Sequence, residues 1–388
     1  MRVFLMVIHG FGIGEMPDAA LFGDEGSDTY GHVVAATQIR LPHLAALGLN
    51  NICGIGPAAA QFRVPAPNAA YGRMSEKTFA KDTTAGHYEL AGLVMQKPFR
   101  VFPNGFPEDI VRDLEKATGV QFMGNEVASG TEIIQRLGEE HLRTGKIILY
   151  TSQDSVMQIA SDTSVLPLAK LYGVCEAARA VMTGERTVGR VIARPFSRDE
   201  CGRFRRTKDR KDYSLEPPGQ TLLDRLAAAN IPVIGVGKIG DIFCERGISR
   251  SFHMGSNSEG LDLLARLIGD TEEGLVFVNL VETDMLFGHR NDVRGYSKAL
   301  RLIDSRLEAI KMQLRKEDIL IITADHGCDP TTPSTGHSRE YVPLLICGKQ
   351  VSPCDLGTLE GFDNVARFIA SAFGLDDGCE LYKTVMRR

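Results

Sequence analysis

The sequence predicts an α/β protein, a doubly wound core interrupted by a smaller inserted α/β domain. Three observations lead there. Four short apolar runs rich in β-branched residues read as strands buried on both faces. Amphipathic helical stripes separate them, and such alternation builds a sheet covered by helices. The middle third is set apart by prolines, with Pro98, Pro103 and Pro107 at its start and Pro217-Pro218 at its end.

The first strand is VFLMVI at 3–8. Within the middle third, helices are expected over about 107–117, 131–143 and 167–182, with strands over about 146–151 and 188–194. The core resumes with IPVIGV at 231–236 and LVFVNLV at 275–281. Leu300, Ile303, Leu307, Ile310 and Leu314 then repeat at helical spacing and draw one apolar stripe over 296–315. DILIIT at 318–323 is the fourth core strand, and Asp363 is the expected N-cap of a last helix carrying Val365 and Ile369 and closed by Gly374. The division that follows is core 1–97, cap domain 98–215 and core 216–388.

The chain has 388 residues, 43% hydrophobic and 24% charged, which describes a globular protein with room for two domains. A net charge of −5 without a basic stripe argues against nucleic acid as a partner. Eight cysteines with no C-x-x-C pair read as reduced packing thiols. No apolar run approaches the length of a membrane span and no basic leader precedes the first strand, so a cytoplasmic protein without membrane partners is expected.

Three of the nine histidines fall between 289 and 337. Asp284 and His289 lie in DMLFGH, Asp325 and His326 in TADHG, and His337 in TGHSRE. Carboxylate with imidazole suits Zn, Mn or Fe better than Ca. Asp325 and Asp284 each follow a predicted strand, and open α/β sheets bind ligands at that carboxyl edge. The segment KDTTAGHYE at 81–89 offers Thr83 or Thr84 as a nucleophile that a metal would activate, and Ala85-Gly86 as the start of a helix facing an anion. Taken alone, D-T-T is also a common helix cap. Arg190 and Arg194 share one face of a strand, followed by Arg203, Arg205, Arg206, Lys208, Arg210 and Lys211, of which one or two are candidate phosphate ligands and the rest a solvated face. Lys238, after the 231–236 strand, belongs to the same class.

In order along the chain stand GIGEMPDA, GSDTYGH, KDTTAGHYE, RVFPNGFP, YTSQDSV, GRVIARPF, VGKIGDI, LFGHRND, TADHGCDP and HSREYVP. Together they resemble the bacterial, manganese-dependent phosphopentomutase family of the alkaline phosphatase superfamily. The resemblance implies an alkaline-phosphatase-like core with a mobile cap. It also implies interconversion of ribose 1-phosphate and ribose 5-phosphate, and of the 2-deoxy sugars, by a monomer using two Mn2+ and a sugar bisphosphate activator. It makes Thr83 the phosphothreonine. Asp284, His289 and His337 would hold one metal, and Asp325 and His326 the other. Ser152, Asp154, Arg190, Arg206 and Lys238 match positions that grip the sugar phosphate.

One position departs. Where the family ends its first strand in Asp-Ser, a ligand to the second metal, this chain has His9-Gly10. An imidazole there makes His9 the expected ligand and opens that site to Zn2+ or another divalent ion. Three readings follow: a phosphopentomutase with His9 as a ligand; a divergent phosphomutase with another sugar phosphate or with hydrolytic activity; and a binding homologue impaired by His9.

Overall fold

The apolar run at 3–8 forms the strand Arg2–Ile8, buried at every residue and parallel to Gly274–Leu280 on one side and Ile319–Thr323 on the other. The computed structural model describes residues 1–97, 99–152, 155–376 and 378–386. Among them, the core sheet has eight strands in the order Arg250–Phe252, Val233–Val236, Gly274–Leu280, Arg2–Ile8, Ile319–Thr323, Val342–Cys347, Ala70–Ser75, Cys354–Glu360. The four strands read from sequence are mutually parallel, as continuous burial requires. The other half is mixed, because Val342–Cys347 runs antiparallel to both its neighbours. Cys354–Glu360 closes the edge with a half-exposed, polar-rich pattern.

The two ends of the parallel strands differ in chemistry. At the amino end, Arg2 forms a buried ion pair with Asp318 and donates from Nη1 to Thr271 O at 2.8 Å. At the carboxyl end stand His9, Asp284 and Asp325, each just beyond its strand. The sheet topology therefore brings residues from three distant segments to one edge.

The amphipathic stripe becomes the helix Val293–Met312, with Asp292 as N-cap accepting from Gly295 N at 2.8 Å. Its buried residues include Leu300, Ile303, Leu307 and Ile310. The last helix corrects the expectation for Asp363. The helix spans Asp363–Ala372 with Phe362 at the cap position, and Asp363 instead accepts from Lys77 Nζ at 2.9 Å. The buried Phe362, whose N–H donates to Glu89 Oε1 at 2.9 Å, fixes the chain's entry there.

A second compact unit spans Phe99–Glu216, and the rest of the described chain forms the first. Its strand order is Phe122–Val127, Ile147–Thr151, Val156–Asp162, Arg190–Arg198, Phe204–Arg206, with Lys211–Ser214 pairing Arg190–Arg198. Strand alternation sorts its side chains into two clusters. Ile147, Leu149, Met157 and Ile159 pack with Ile110, Leu114, Leu171 and Val174 of the helices Glu108–Thr118 and Leu168–Val181. Ile148, Tyr150, Ala160 and Phe196 face the other way, onto Ile133 and Ile134 of the helix Gly130–Thr144. No helix among the described residues is long and apolar enough to cross a membrane.

A candidate metal centre around Thr83

Asp82 and Thr83 open the helix Thr83–Leu90, which is buried along its whole length. The Asp82 carboxylate caps it, accepting from Thr84 N at 3.0 Å and Ala85 N at 3.1 Å. The expectation that Ala85-Gly86 opens the helix toward an anion is thereby corrected: the helix starts at Thr83, and the amides of Thr84 and Ala85 are taken by Asp82. Gly86 has another role. A Cβ there would lie 2.1 Å from the Asp325 carbonyl oxygen, so only glycine lets the helix approach that strand end. Replacing Gly86 by alanine should cost about 1–3 kcal/mol of stability by overpacking. It should also weaken metal binding by moving Asp325, which thermal unfolding and calorimetric metal titration would measure.

Thr83 Oγ1 sits 3.0 Å from His9 Nε2 and 3.3 Å from His326 Nε2. Around it the predicted ligands gather. Asp284 Oδ2 lies 3.4 Å from His9 Nε2 and 3.3 Å from His289 Nε2, and its Oδ1 lies 3.4 Å from His337 Nε2. Asp325 Oδ2 lies 3.3 Å from His326 Nε2 and 3.6 Å from His9 Nδ1. Ligand atoms of His9, Asp325 and His326 fall within 4.8 Å of one another, as do those of Asp284, His326 and His337, and those of Asp284, His289 and Cys328.

The donor set fits divalent cations. His289 Nδ1 donates to Thr335 O at 2.6 Å, His326 Nδ1 to Gly327 O at 2.9 Å and His337 Nδ1 to Lys81 O at 2.9 Å. A carbonyl can only accept, so each Nδ1 carries the proton and each Nε2 is turned toward the carboxylates, as in metal-ligating histidines. Asp284 Oδ1, Asp325 Oδ2 and His337 Nε2 are buried and have no hydrogen-bond partner among the described residues. Buried polar atoms are seldom left so, and a bound cation would satisfy them.

The electrostatics point the same way. Burial raises the Asp284 carboxyl, but His9, His289 and His337 outweigh it and hold the group well below the usual carboxylate range. Burial likewise raises Asp325, and His326, His9 and His87 outweigh that. Burial pushes His9 down to about 3, leaving a neutral imidazole. Burial also lowers His326, but Asp325 overcomes it and carries the ring to about 9. Two buried carboxylates thus draw positive charge to the place where Thr83 projects.

His9 is held from several sides. Its carbonyl accepts from Thr283 Oγ1 at 2.6 Å, and Gly10 O accepts from Tyr296 OH at 2.7 Å. Gly10 adopts φ 72° and donates its N–H to Asp325 Oδ1 at 3.1 Å, which accounts for glycine after His9. Asn279 Nδ2 bridges His9 Nδ1 at 3.0 Å and His87 Nε2 at 2.8 Å, and His87 Nδ1 donates to Thr83 O at 2.8 Å. Sequence reasoning singled out neither Asn279 nor His87. The available signal was a polar residue inside the otherwise apolar strand Gly274–Leu280.

The other predicted residues are placed as follows. Lys238 precedes the short helix Ile239–Phe243, near enough to His9 for its charge to lower that ring. Ser152, half-buried, follows Ile147–Thr151 in the second unit. Arg190 begins Arg190–Arg198 with Nη1 3.5 Å from Asp212 Oδ2, and Arg206 ends Phe204–Arg206, exposed. Arg203 and Arg205 pair with Asp199, the solvated role expected for most of that cationic run. Asp154 lies outside the described residues.

A family model described as the metalloenzyme superfamily matches residues 1–377. The phosphopentomutase of Caldanaerobacter subterraneus subsp. tengcongensis is 51% identical over 377 residues, covering 96% of this chain and 94% of its own. That of Acetivibrio thermocellus is 50% identical over 381 residues, covering 98% and 97%. Among solved structures, Leishmania mexicana phosphoglycerate mutase at low cobalt concentration superposes with a TM-score of 0.50 at 12% identity, covering 97% of this chain and 96% of that one. That likeness concerns the fold alone.

Proposed function

This chain belongs to the metalloenzyme superfamily and, within it, to the phosphopentomutase family, and from that membership we propose that it interconverts ribose 1-phosphate and ribose 5-phosphate, and the 2-deoxyribose equivalents, through a phosphothreonine at Thr83. The observation that carries the proposal is the position of Thr83 Oγ1, at a buried helix start between His9 and His326 and beside two carboxylates with unpartnered atoms.

The residues divide the work. Asp325, His326 and His9 would hold one divalent ion, and Asp284, His289 and His337 the other. Bound there, the ions supply positive charge that neutralises the attacking and leaving oxygens of phosphoryl transfer. Phosphorylated Thr83 gives its phosphoryl group to the free hydroxyl of the sugar monophosphate: the Thr83 O–P bond breaks, a sugar O–P bond forms, and the hydroxyl proton replaces phosphorus on the threonine side. Return of the other phosphoryl group from the resulting bisphosphate to Thr83 restores the enzyme and leaves the isomeric monophosphate. The Asp82 cap and the His87 bond to Thr83 O hold the nucleophile in place throughout.

Manganese in both sets is the reading the resemblance supports, and the His9 set, with two imidazoles and one carboxylate, also suits zinc. A sugar bisphosphate would prime the first cycle. Ser152, Asp154, Arg190, Arg206 and Lys238 are proposed as contacts to the sugar phosphate, in a cytoplasmic monomer without nucleic-acid or membrane partners.

The test is to follow ribose 1-phosphate by phosphorus NMR with purified, metal-loaded protein. Conversion to ribose 5-phosphate without growth of inorganic phosphate is expected. Steady release of inorganic phosphate in its place would mean that water is the acceptor and would overturn the mutase reading.

A further inference from the structure

We propose that Asn279 is a positioning residue: its buried amide fixes the rings of His9 and His87, so that His9 presents the lone pair of Nε2 to the divalent ion beside Thr83. The inference rests on the reading of His9 as a ligand, which by itself gives Asn279 no role.

His87 sets the orientation of the amide. Its Nδ1 faces two groups that only accept, Thr83 O at 2.8 Å and the Asp325 carboxylate at 3.2 Å, so the proton sits on that nitrogen. In a neutral imidazole Nε2 is then an acceptor. Asn279 Nδ2, 2.8 Å away, is the group that donates to it.

The amide oxygen decides His9. Asn279 is fully buried, and among the described residues the only hydrogen-bond partner of its Oδ1 is His9 Nδ1, at 3.2 Å. A proton on His9 Nδ1 answers that oxygen. Asn279 Nδ2 also lies 3.0 Å from Nδ1, but donation from it would leave the buried Oδ1 without a donor, which folded proteins avoid. His9 therefore carries its proton on Nδ1 and its lone pair on Nε2.

The bonds then run in one direction around a closed path. Thr83 Oγ1 donates to His9 Nε2 at 3.0 Å, His9 Nδ1 to Asn279 Oδ1, Asn279 Nδ2 to His87 Nε2, and His87 Nδ1 back to Thr83 O. His9 Nε2 also lies 3.4 Å from Asp284 Oδ2. A lone pair and a carboxylate oxygen this close repel, and positive charge beside them removes the conflict. For His289, His326 and His337, main-chain carbonyls fix Nδ1. For His9 a side chain takes that part, so a substitution can reach it.

The experiment uses the full chain with histidine isotopically labelled at nitrogen, first stripped of metal and then loaded with diamagnetic Zn2+. Long-range proton–nitrogen NMR reports which nitrogen of each ring carries the proton, and a His9→Gln variant assigns the His9 signals. The expected result is a proton on His9 Nδ1 in both states, with Nε2 bare and shifting when zinc binds. In calorimetric zinc titrations, Asn279→Leu should weaken the ion held by Asp325, His326 and His9 about 10–100-fold, as loss of such a partner does. The ion held by Asp284, His289 and His337 should be unaffected. Asn279→Asp, which keeps an acceptor for His9 Nδ1, should restore the lost affinity. A proton on His9 Nε2 in the labelled parent would overturn the role of Asn279 whether or not the variants fold, and would leave the mutase reading intact. Unchanged affinities in Asn279→Leu, or equal weakening of both ions by both substitutions, would overturn it as well. A His9 ring that zinc does not perturb would overturn the ligand reading and this role together.

Discussion

Thr83→Ala should lower ribose 1-phosphate conversion by more than about a thousandfold, about 4 kcal/mol of barrier. Thr83 Oγ1 is the hydroxyl that faces the candidate ligands, 3.0 Å from His9 Nε2 and 3.3 Å from His326 Nε2. Thr84 is the natural control, because the sequence left both threonines open. Its N–H is tied to the Asp82 cap, and Thr84→Ala should retain most of the activity. Initial rates of both variants, with thermal unfolding to confirm folding, check the expectation. Equal losses in the two variants would argue for a packing role in place of nucleophilic attack.

His9→Ala should reduce bound metal from two ions per chain toward one, and lower mutase activity by at least about a hundredfold, about 2.7 kcal/mol. The ring belongs to a connected set. It faces Thr83 and Asp284 with Nε2 and Asn279 with Nδ1, and burial keeps it neutral with a pKa of about 3. Removing it leaves Asp325 and His326 as the remaining pair of that set, too few for a tightly held ion. Elemental analysis and activity are read together. An unchanged metal content with unchanged rate would remove His9 from the ligand set.

Much of this was legible because burial leaves a strong mark on composition. Strands covered on both faces, such as Arg2–Ile8 and Ile319–Thr323, are continuous apolar runs, and the residues just after them are at the edge where a ligand binds. Asp284, Asp325 and His326 were therefore placed correctly at strand ends by pattern alone. Ala70–Ser75 and Cys354–Glu360 were not legible, because glycine, arginine and threonine dilute their apolar content. Their identity depends on pairing across the sheet rather than on local pattern. Asp363 failed as a cap because Phe362 anchors the turn and Lys77 takes the carboxylate, and both contacts are tertiary.

Within the site, the candidate ligands Asp284, His289, Asp325, His326 and His337 could be named from spacing, but the contacts that orient them could not. That Nδ1 of His289, His326 and His337 is fixed by the carbonyls of Thr335, Gly327 and Lys81 follows from loop geometry remote in sequence. The bridge from His9 through Asn279 to His87 joins three segments and has no local signature beyond one polar residue in an apolar strand.

A chase of the phosphorylated protein tests the phosphothreonine cycle at Thr83. Protein incubated with a ribose bisphosphate carrying labelled phosphate is freed of small molecules, and its label is located by peptide mass spectrometry. It is then mixed with unlabelled ribose 5-phosphate. Label is expected on Thr83, passing to the sugar at a rate no slower than turnover. Mutase activity with no phosphate on Thr83, or label there that does not pass to the sugar on that timescale, would contradict that cycle.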